Sequence, residues 1–353
     1  MELTRVLVTG AGGFIGSHVA RILARQNCEV FALVRKLSED GSQSGEIGPG
    51  LNPDPGSSQE AEIISTKSLR GNERDSAHRS IRVVALDLND HVALRSALRD
   101  IRPATAIHLA WYTEPAKYWN APENLDCVGM SLNVARALAD CGCRRLLAAG
   151  TCAEYDWDYE ELSEESTPLK PRGLYGVCKN ALRETLEFFS RQNSIQFAWL
   201  RFFYLYGPGE AKERLVPSII LSLLRGHRAQ CTAGEQIRDF LYVEDAAAAV
   251  AAVAKSAETG PVNLASGRPV KIRTLVETIA RILDRSDRLD IGAIPDSRCE
   301  PARVVADPTR LFRRIGWQPS FTIDHGLLRT VNWWKAVESK GRGAPNGYIS
   351  RSS

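Results

Sequence analysis

The stretch VLVTGAGGFIGSHVA, residues 6–20, constrains this chain more than any other. Residues 5–10 read as a strand, and residues 17–26 carry apolar side chains at helical spacing. Between them Gly10, Gly13 and Gly16 recur at three-residue intervals, preceded by Thr9. Glycines in such a turn let the backbone approach a pyrophosphate, which then rests on helix N–H groups at the positive end of the helix dipole. The G-x-x-G-x-x-G spacing in a strand–turn–helix context therefore predicts a dinucleotide site.

The following residues extend that unit into a sheet. Apolar runs at 29–34, 81–88, 106–111, 144–150 and 195–202 alternate with helical patterns, as parallel strands with crossover helices require. The expected fold class is α/β, a Rossmann-type doubly wound parallel sheet. Further along, 214–226, 243–257 and 272–284 read as helices and 260–266 as a strand, with Pro217 in a first turn where a missing N–H costs little. Residues 36–79 break the rhythm. Rich in Gly, Ser, Pro and Asp, they read as a largely disordered insertion.

Charge narrows the partners. Forty-five basic residues against 42 acidic ones leave a net charge of +3, too balanced for nucleic acid or an anionic membrane. No apolar run approaches the roughly 18 residues of a membrane span, and the N-terminus enters a strand without a basic-then-apolar leader. Eight cysteines stand singly apart from Cys141 and Cys143, and no second pair offers zinc-like spacing. They read as reduced thiols of a cytoplasmic protein, with no metal.

Three further features carry chemistry. Where the second strand ends, an acid normally holds the adenosine ribose; here stand Val34, Arg35 and Lys36. Cations there suit a 2′-phosphate, so NADP(H) is favoured, with NAD(H) possible. Asp87 and Leu88 fall where an adenine ring would lie, although Asp87 reads equally as a strand-end cap. Thr151 follows a strand at its ligand-presenting end, and Tyr175 and Lys179 are one helical turn apart on one face. Tyrosine, with a pKa of about 10, is a poor base at neutral pH. A cation about 4 Å away in an effective dielectric of about 20 contributes roughly 4 kcal/mol, enough to bring the phenol into range. The three make a proton-transfer set for a carbinol carbon that gains or loses hydride.

The chain resembles the extended short-chain dehydrogenase/reductases, in particular their nucleotide-sugar epimerase/dehydratase branch. The likeness rests on TGAGGFIG, DL at 87–88, HLAW at 108–111, GTCAEY at 150–155, YGVCK at 175–179, LRFFYLYGPG at 200–209, GEQIRDFLYVEDAA at 234–247 and VADPTRLFRRIGWQP at 304–319. It implies a cofactor-binding domain over 1–203, a smaller C-terminal α/β substrate lobe over 204–236 and 269–340, a return to the first domain over 237–268, and a flexible tail at 341–353. It adds Phe14, Ile15, Leu109 and Ala110 to the cofactor contacts, and Lys179 as a holder of the nicotinamide ribose. Arg201, Arg238 and Arg303 become substrate contacts for a nucleotide diphosphate sugar, with Asp239 more naturally a local cap. It also implies a homodimer joined through a four-helix bundle of helices at about 124–141 and 175–192.

Dehydratases of this branch place an Asp–Glu pair after the catalytic Thr, whereas this chain has Cys152 and Ala153, with Glu154 reaching the acid's place only in a shifted alignment. Two reactions remain: reduction of a 4-keto-6-deoxy nucleotide sugar, to which Val34–Arg35 lean, and 4-epimerisation with internal hydride recycling. A non-sugar carbonyl substrate and a non-catalytic dinucleotide-binding scaffold are the other readings. Trp111, Tyr112, Tyr118 and Trp119 read equally as stacking residues and as core or rim aromatics.

Overall fold

The computed structural model describes residues 3–35, 62–64, 81–295 and 300–342. In chain order the first half contains β1 (Arg5–Thr9), α1 (Phe14–Arg25), β2 (Glu29–Val34), β3 (Glu62–Ile64), β4 (Ile81–Ala85), α2 (His91–Ile101), β5 (Thr105–His108), α3 (Glu123–Asp140), β6 (Arg145–Thr151), α4 (Leu174–Gln192) and β7 (Gln196–Phe202). The second half contains β8 (Tyr204–Tyr206), α5 (Leu215–Leu224), β9 (Ala229–Cys231), β10 (Ile237–Tyr242), α6 (Val243–Lys255), β11 (Gly260–Leu264), β12 (Pro269–Lys271), α7 (Ile272–Leu283), β13 (Leu289–Ile291), β14 (Arg303–Val304) and α8 (Ile323–Arg342).

Eight strands form one parallel sheet in the order β11-β7-β6-β5-β1-β2-β4-β3. The chain starts at the centre, winds outward through β2 and β4, and returns to β5 on the other side of β1. Side chains alternate across each strand, which is why both faces need cover. Val6 and Val8 pack with Val19 and Leu23 of α1 and the alanine-rich α6. Leu7 faces the opposite layer, with Leu94 and Leu98 of α2, Val134 of α3 and Leu182 of α4. The doubly wound α/β sheet is the fold that the apolar runs predict.

Three differences matter. The strands expected at 81–88 and 106–111 stop at Ala85 and His108, and the residues beyond them line the cleft. Within 36–79, residues 62–64 form an edge strand on β4, with register Ile63 to Val83. An edge leaves a row of backbone groups open for pairing, and the β-branched Ile63–Ile64 supplies a strand former. The rest of that predicted insertion, and residues 343–353 of the predicted tail, lie outside the described residues. Finally, β10 joins the smaller sheet, while α6 and β11 return to the large one.

In the smaller sheet β10 pairs with β8 and β14 in parallel and β12 antiparallel; β9 and β13 form a separate pair. Its core is built by Ile220 of α5, Leu275 and Ile279 of α7, and Leu327 and Trp334 of α8. Asp239 on β10 fastens this part to the large sheet. Its buried carboxylate accepts from Ser266 N and Oγ at 2.8 and 2.6 Å, Gly267 N at 2.9 Å and Ala306 N at 3.3 Å. No helix among the described residues is long and apolar enough to cross a membrane.

Candidate active site

Strand order reverses between β1 and β5, and the cleft opens there. At Gly10 φ is +67°, and a Cβ would stand 2.8 Å from the Ala110 nitrogen; on Gly16 it would stand 2.2 Å from the Gly10 carbonyl oxygen. Only glycine lets this turn lie against the end of β5 and the start of α1. Gly13 caps α1 in extended conformation and no side chain caps its first N–H groups, so the helix start suits an anion. The residues present therefore fit a dinucleotide. Behind them, buried His108 meets Thr9 Oγ1 through Nδ1 at 2.7 Å and Ser131 Oγ through Nε2 at 2.9 Å. Burial, with help from the nearby Lys179 charge, pushes its pKa down to about 3, so the ring is neutral.

The cleft encloses about 2100 Å³, more than the ~300–1,000 Å³ typical of one small-molecule site. Gly10, Gly13, Phe14, Ile15 and Gly16 line it, as do Arg35, Asp87 and Leu88 from the neighbouring strand ends and Leu109 and Ala110 after β5. Lys36 lies outside the described residues. Asp87 also accepts from the backbone and side-chain nitrogens of Asn89 at 2.9 and 3.2 Å, so it is a local cap as well as a wall residue.

Thr151, Tyr175 and Lys179 meet in the same cleft. Thr151 ends β6 and caps a single 3₁₀ turn (Cys152–Glu154), accepting from Ala153 N at 3.2 Å. Its side chain hydrogen-bonds the Tyr175 phenol. Tyr175 sits in the first turn of α4, held by its own N–H to the Trp119 carbonyl at 3.0 Å and by Leu174 N to Asn120 Oδ1 at 3.3 Å. The Lys179 Nζ donates to the Ala149 carbonyl at 2.8 Å and lies 3.6 Å from the Trp111 ring centre.

Their electrostatics differ from the sequence expectation. Edge-to-face Trp111, Tyr118 and Trp119 surround Tyr175 at 6.4, 5.0 and 6.0 Å. Burial pushes its phenol above the ordinary range, against the pull of the Thr151 hydrogen bond. Burial also pushes Lys179 down to about 7, despite the opposing influence of Glu154. In the free protein, therefore, burial and not Lys179 dominates the phenol's pKa. A cation that is itself desolvated is half discharged near neutrality.

Two predicted substrate contacts lie elsewhere. Arg201 is 2% exposed beneath the cleft, with Nε 2.8 Å from Glu154 and Nη1 2.9 Å from the Tyr155 hydroxyl. It does not line the cleft, and here it neutralises Glu154. Arg303 donates to the Glu160 carbonyl at 2.8 Å and does not line the cleft. Arg238 does line it, its guanidinium 3.5 Å from Glu300 and 5.4 Å from the Tyr204 ring. Glu154, fully buried, accepts from Thr151 N at 2.8 Å, Trp199 Nε1 at 2.9 Å and Arg201, so it is closed to a ligand. Sequence reasoning missed Asn120 as the clamp on α4. An Asn in a polar loop carries no signal of a partner 54 residues away.

Comparison with known proteins follows this geometry. The profile of the NAD dependent epimerase/dehydratase family matches residues 6–265. The chain belongs to that family. The family member described here is an enzyme of the extended short-chain dehydrogenase/reductase type. It is 24% identical over 336 residues to a UDP-glucuronate 4-epimerase of Thermodesulfobacterium geofontis, covering 93% of this chain and 95% of that one. To a dTDP-glucose 4,6-dehydratase of Shigella flexneri it is 25% identical over 381 residues, covering 99% and 98%. Among solved structures, a UDP-N-acetylglucosamine 4-epimerase from Methanobrevibacter ruminantium superposes with a TM-score of 0.77 at 23% identity, over 96% of this chain and 100% of that one. A UDP-glucuronic acid 4-epimerase from Bacillus cereus, solved with UDP-glucuronic acid and NAD, gives 0.75 at 20% identity over 95% and 100%.

Proposed function

We propose that this epimerase/dehydratase family enzyme reduces the keto group of a 4-keto-6-deoxy nucleotide sugar, with NADP(H) as the favoured coenzyme. The observation that carries the reading is the convergence of Thr151, Tyr175 and Lys179 on the cleft that holds the glycine turn. Gly10, Gly13, Gly16 and Arg35 would hold a nicotinamide dinucleotide, whose chemistry here would be hydride transfer. Tyr175 gives its phenolic proton to the carbonyl oxygen as that oxygen becomes a hydroxyl, and Thr151 hydrogen-bonds the same oxygen. Lys179 would hold the nicotinamide ribose, and the positive charge the ring would gain as hydride leaves would offset the negative charge left on the phenol oxygen. Arg238 offers its guanidinium to the diphosphate.

Dehydration is disfavoured by the acids. The residues after Thr151 in the cleft are Cys152 and Ala153, and Glu154 is committed to Arg201 and Trp199. Arg35 in the cleft wall supports a 2′-phosphate, although relatives bind NAD. Those relatives also carry the second reading, 4-epimerisation, because several act as nucleotide-sugar 4-epimerases.

A panel of nucleotide sugars and their 4-keto-6-deoxy derivatives separates the two. The reductase consumes NADPH stoichiometrically at the reduced-nicotinamide band, with a lower dissociation constant for NADPH than for NADH. Conversion of a nucleotide sugar without net consumption of the coenzyme would assign the epimerase instead. Tyr175→Phe loses at least a hundredfold in turnover in either case.

A further inference from the structure

Trp111 lines the cleft just past β5, and its indole is the ring nearest to the Lys179 ammonium. Nζ lies 3.6 Å from the centre of that ring, against 6.0 Å for each of the Tyr175 and Trp199 rings. At that range a desolvated cation is drawn to the negative face of the ring. Lys179 is 3% exposed, and its Nζ donates to the Ala149 carbonyl at 2.8 Å. A charge held away from water needs compensation. An ammonium has three donors, so one carbonyl and one ring face still leave a donor for a ligand.

The indole is itself anchored. Trp111 Nε1 donates to Asn124 Oδ1 at 2.9 Å. Asn124 is fully buried at the start of α3, and its amide nitrogen donates to the Tyr118 and Ala121 carbonyls at 2.7 and 2.8 Å. Those two bonds fix which way the amide points, so its oxygen faces the indole. Tyr118 in turn meets Tyr175 edge-on at 5.0 Å. The start of α3, the loop before it and the first turns of α4 thus form one network that ends at the ammonium.

The titratable groups around Lys179 do not replace the ring. Glu154, after β6, pulls on the ammonium but is committed to Arg201 at 2.8 Å. Burial keeps the Cys127 thiol of α3 above its ordinary pKa, and the Tyr175 phenol of α4 likewise. His108 of β5 is neutral. The last three therefore bring no negative charge near pH 7, and the charge of Glu154 is shared with an arginine.

We propose that Trp111 is a positioning residue for the proton-transfer set, its anchored indole face fixing the Lys179 ammonium on the Tyr175 side of the cleft. A ring face attracts the ammonium and not the neutral amine, so the pairing holds only while the lysine is charged. That charge is what the phenol oxygen needs as its proton leaves. The part played in turnover rests on the redox reading above, whereas the pairing itself does not.

A double-mutant cycle in urea reads the pairing without coenzyme or substrate. Wild type, Trp111→Leu, Lys179→Met and the double variant of the full-length protein are unfolded at about pH 5.5, 7 and 9, a span that brackets the folded-state titration of Lys179. Met keeps the packing of the lysine stem, so the coupling reports the charge. It approaches about tenfold in the unfolding equilibrium constant at the acid end, where the folded lysine is charged. It fades as pH rises through the folded pKa of about 7 and is gone at the alkaline end. Trp111→Phe keeps a ring face and retains a coupling with the same pH dependence. Trp111→Met takes the place of Leu if the Leu variant does not fold. An absent coupling overturns the proposal. So does one that stays equal at all three pH values, since it would mark packing on the stem alone. With NADPH and a 4-keto-6-deoxy nucleotide sugar, Trp111→Leu loses about tenfold in kcat while KM stays within about threefold. The alkaline limb of its kcat profile moves down by about one pH unit, and Phe restores it. A limb that does not move also overturns the proposal. The predicted coupling in a wild type that oxidises NADPH with no sugar supports the pairing and sinks the reductase reading alone.

Discussion

Lys179 shows how strongly one side chain's surroundings set its chemistry. In an unfolded chain its ammonium titrates at about 10.5, and in the fold at about 7. Between those values the unfolded state holds more protons, so this group makes stability rise with pH from about 7 towards 10.5 and contributes no slope below 7. Lys179→Met removes the titration. The urea-derived stability of wild type relative to that variant should therefore climb between pH 7 and 9, by up to about 1.4 kcal/mol per unit. A difference that stays flat across this range would mean that the ammonium is paired in the fold. Arg201 is the complementary case. It was legible as an arginine at a strand end, and its burial was not. Every residue from Phe197 to Phe202 is buried, so no alternation along β7 distinguishes a cleft-facing position from one turned into the protein.

At the scale of elements, the sequence shows most where a period is clear. β2 is found at the predicted residues, and α5, α6 and α7 within two residues of their predicted ends. β3 escaped notice because three strand residues sit inside a long polar stretch, where composition outweighs local propensity. Trp111, Tyr118 and Trp119 stood out in the sequence as stacking or core aromatics, but their packing on Tyr175 did not, since they approach α4 from loops whose geometry has no sequence code. α3 and α4 carry the remaining element-level expectation. Leu125, Val177 and Phe188 are 60%, 47% and 65% exposed on them. Val177 and Phe188, eleven residues apart, share one helical face, and a Cβ on Gly129 of α3 would meet nothing within 4 Å. A second copy would cover this surface. In an isologous dimer each side chain is lost twice, so Phe188→Glu removes about 3–6 kcal/mol of apolar burial and converts a sedimenting dimer to monomer. A wild type that sediments as a monomer at micromolar concentration would sink the dimer, and with it the reading of this face.

For the whole molecule, the telling residue is Asp239. It is held above its ordinary pKa because burial outweighs four hydrogen bonds, and it serves one donor group after β11 and another after β14. Removing the acceptor strands several buried donors at once. Asp239→Ala should cost about 3–5 kcal/mol in urea unfolding and weaken nucleotide-sugar binding more than NADPH binding, since the glycine turn lies in the other sheet. Equal losses for both ligands would mean that the carboxylate supports the fold uniformly. The same fastening limits how the enzyme can breathe. Asp239 ties the segments after β11 and β14 to β10, so a displacement of one strains the others. Trp119, 37% exposed, lines the cleft beside α4.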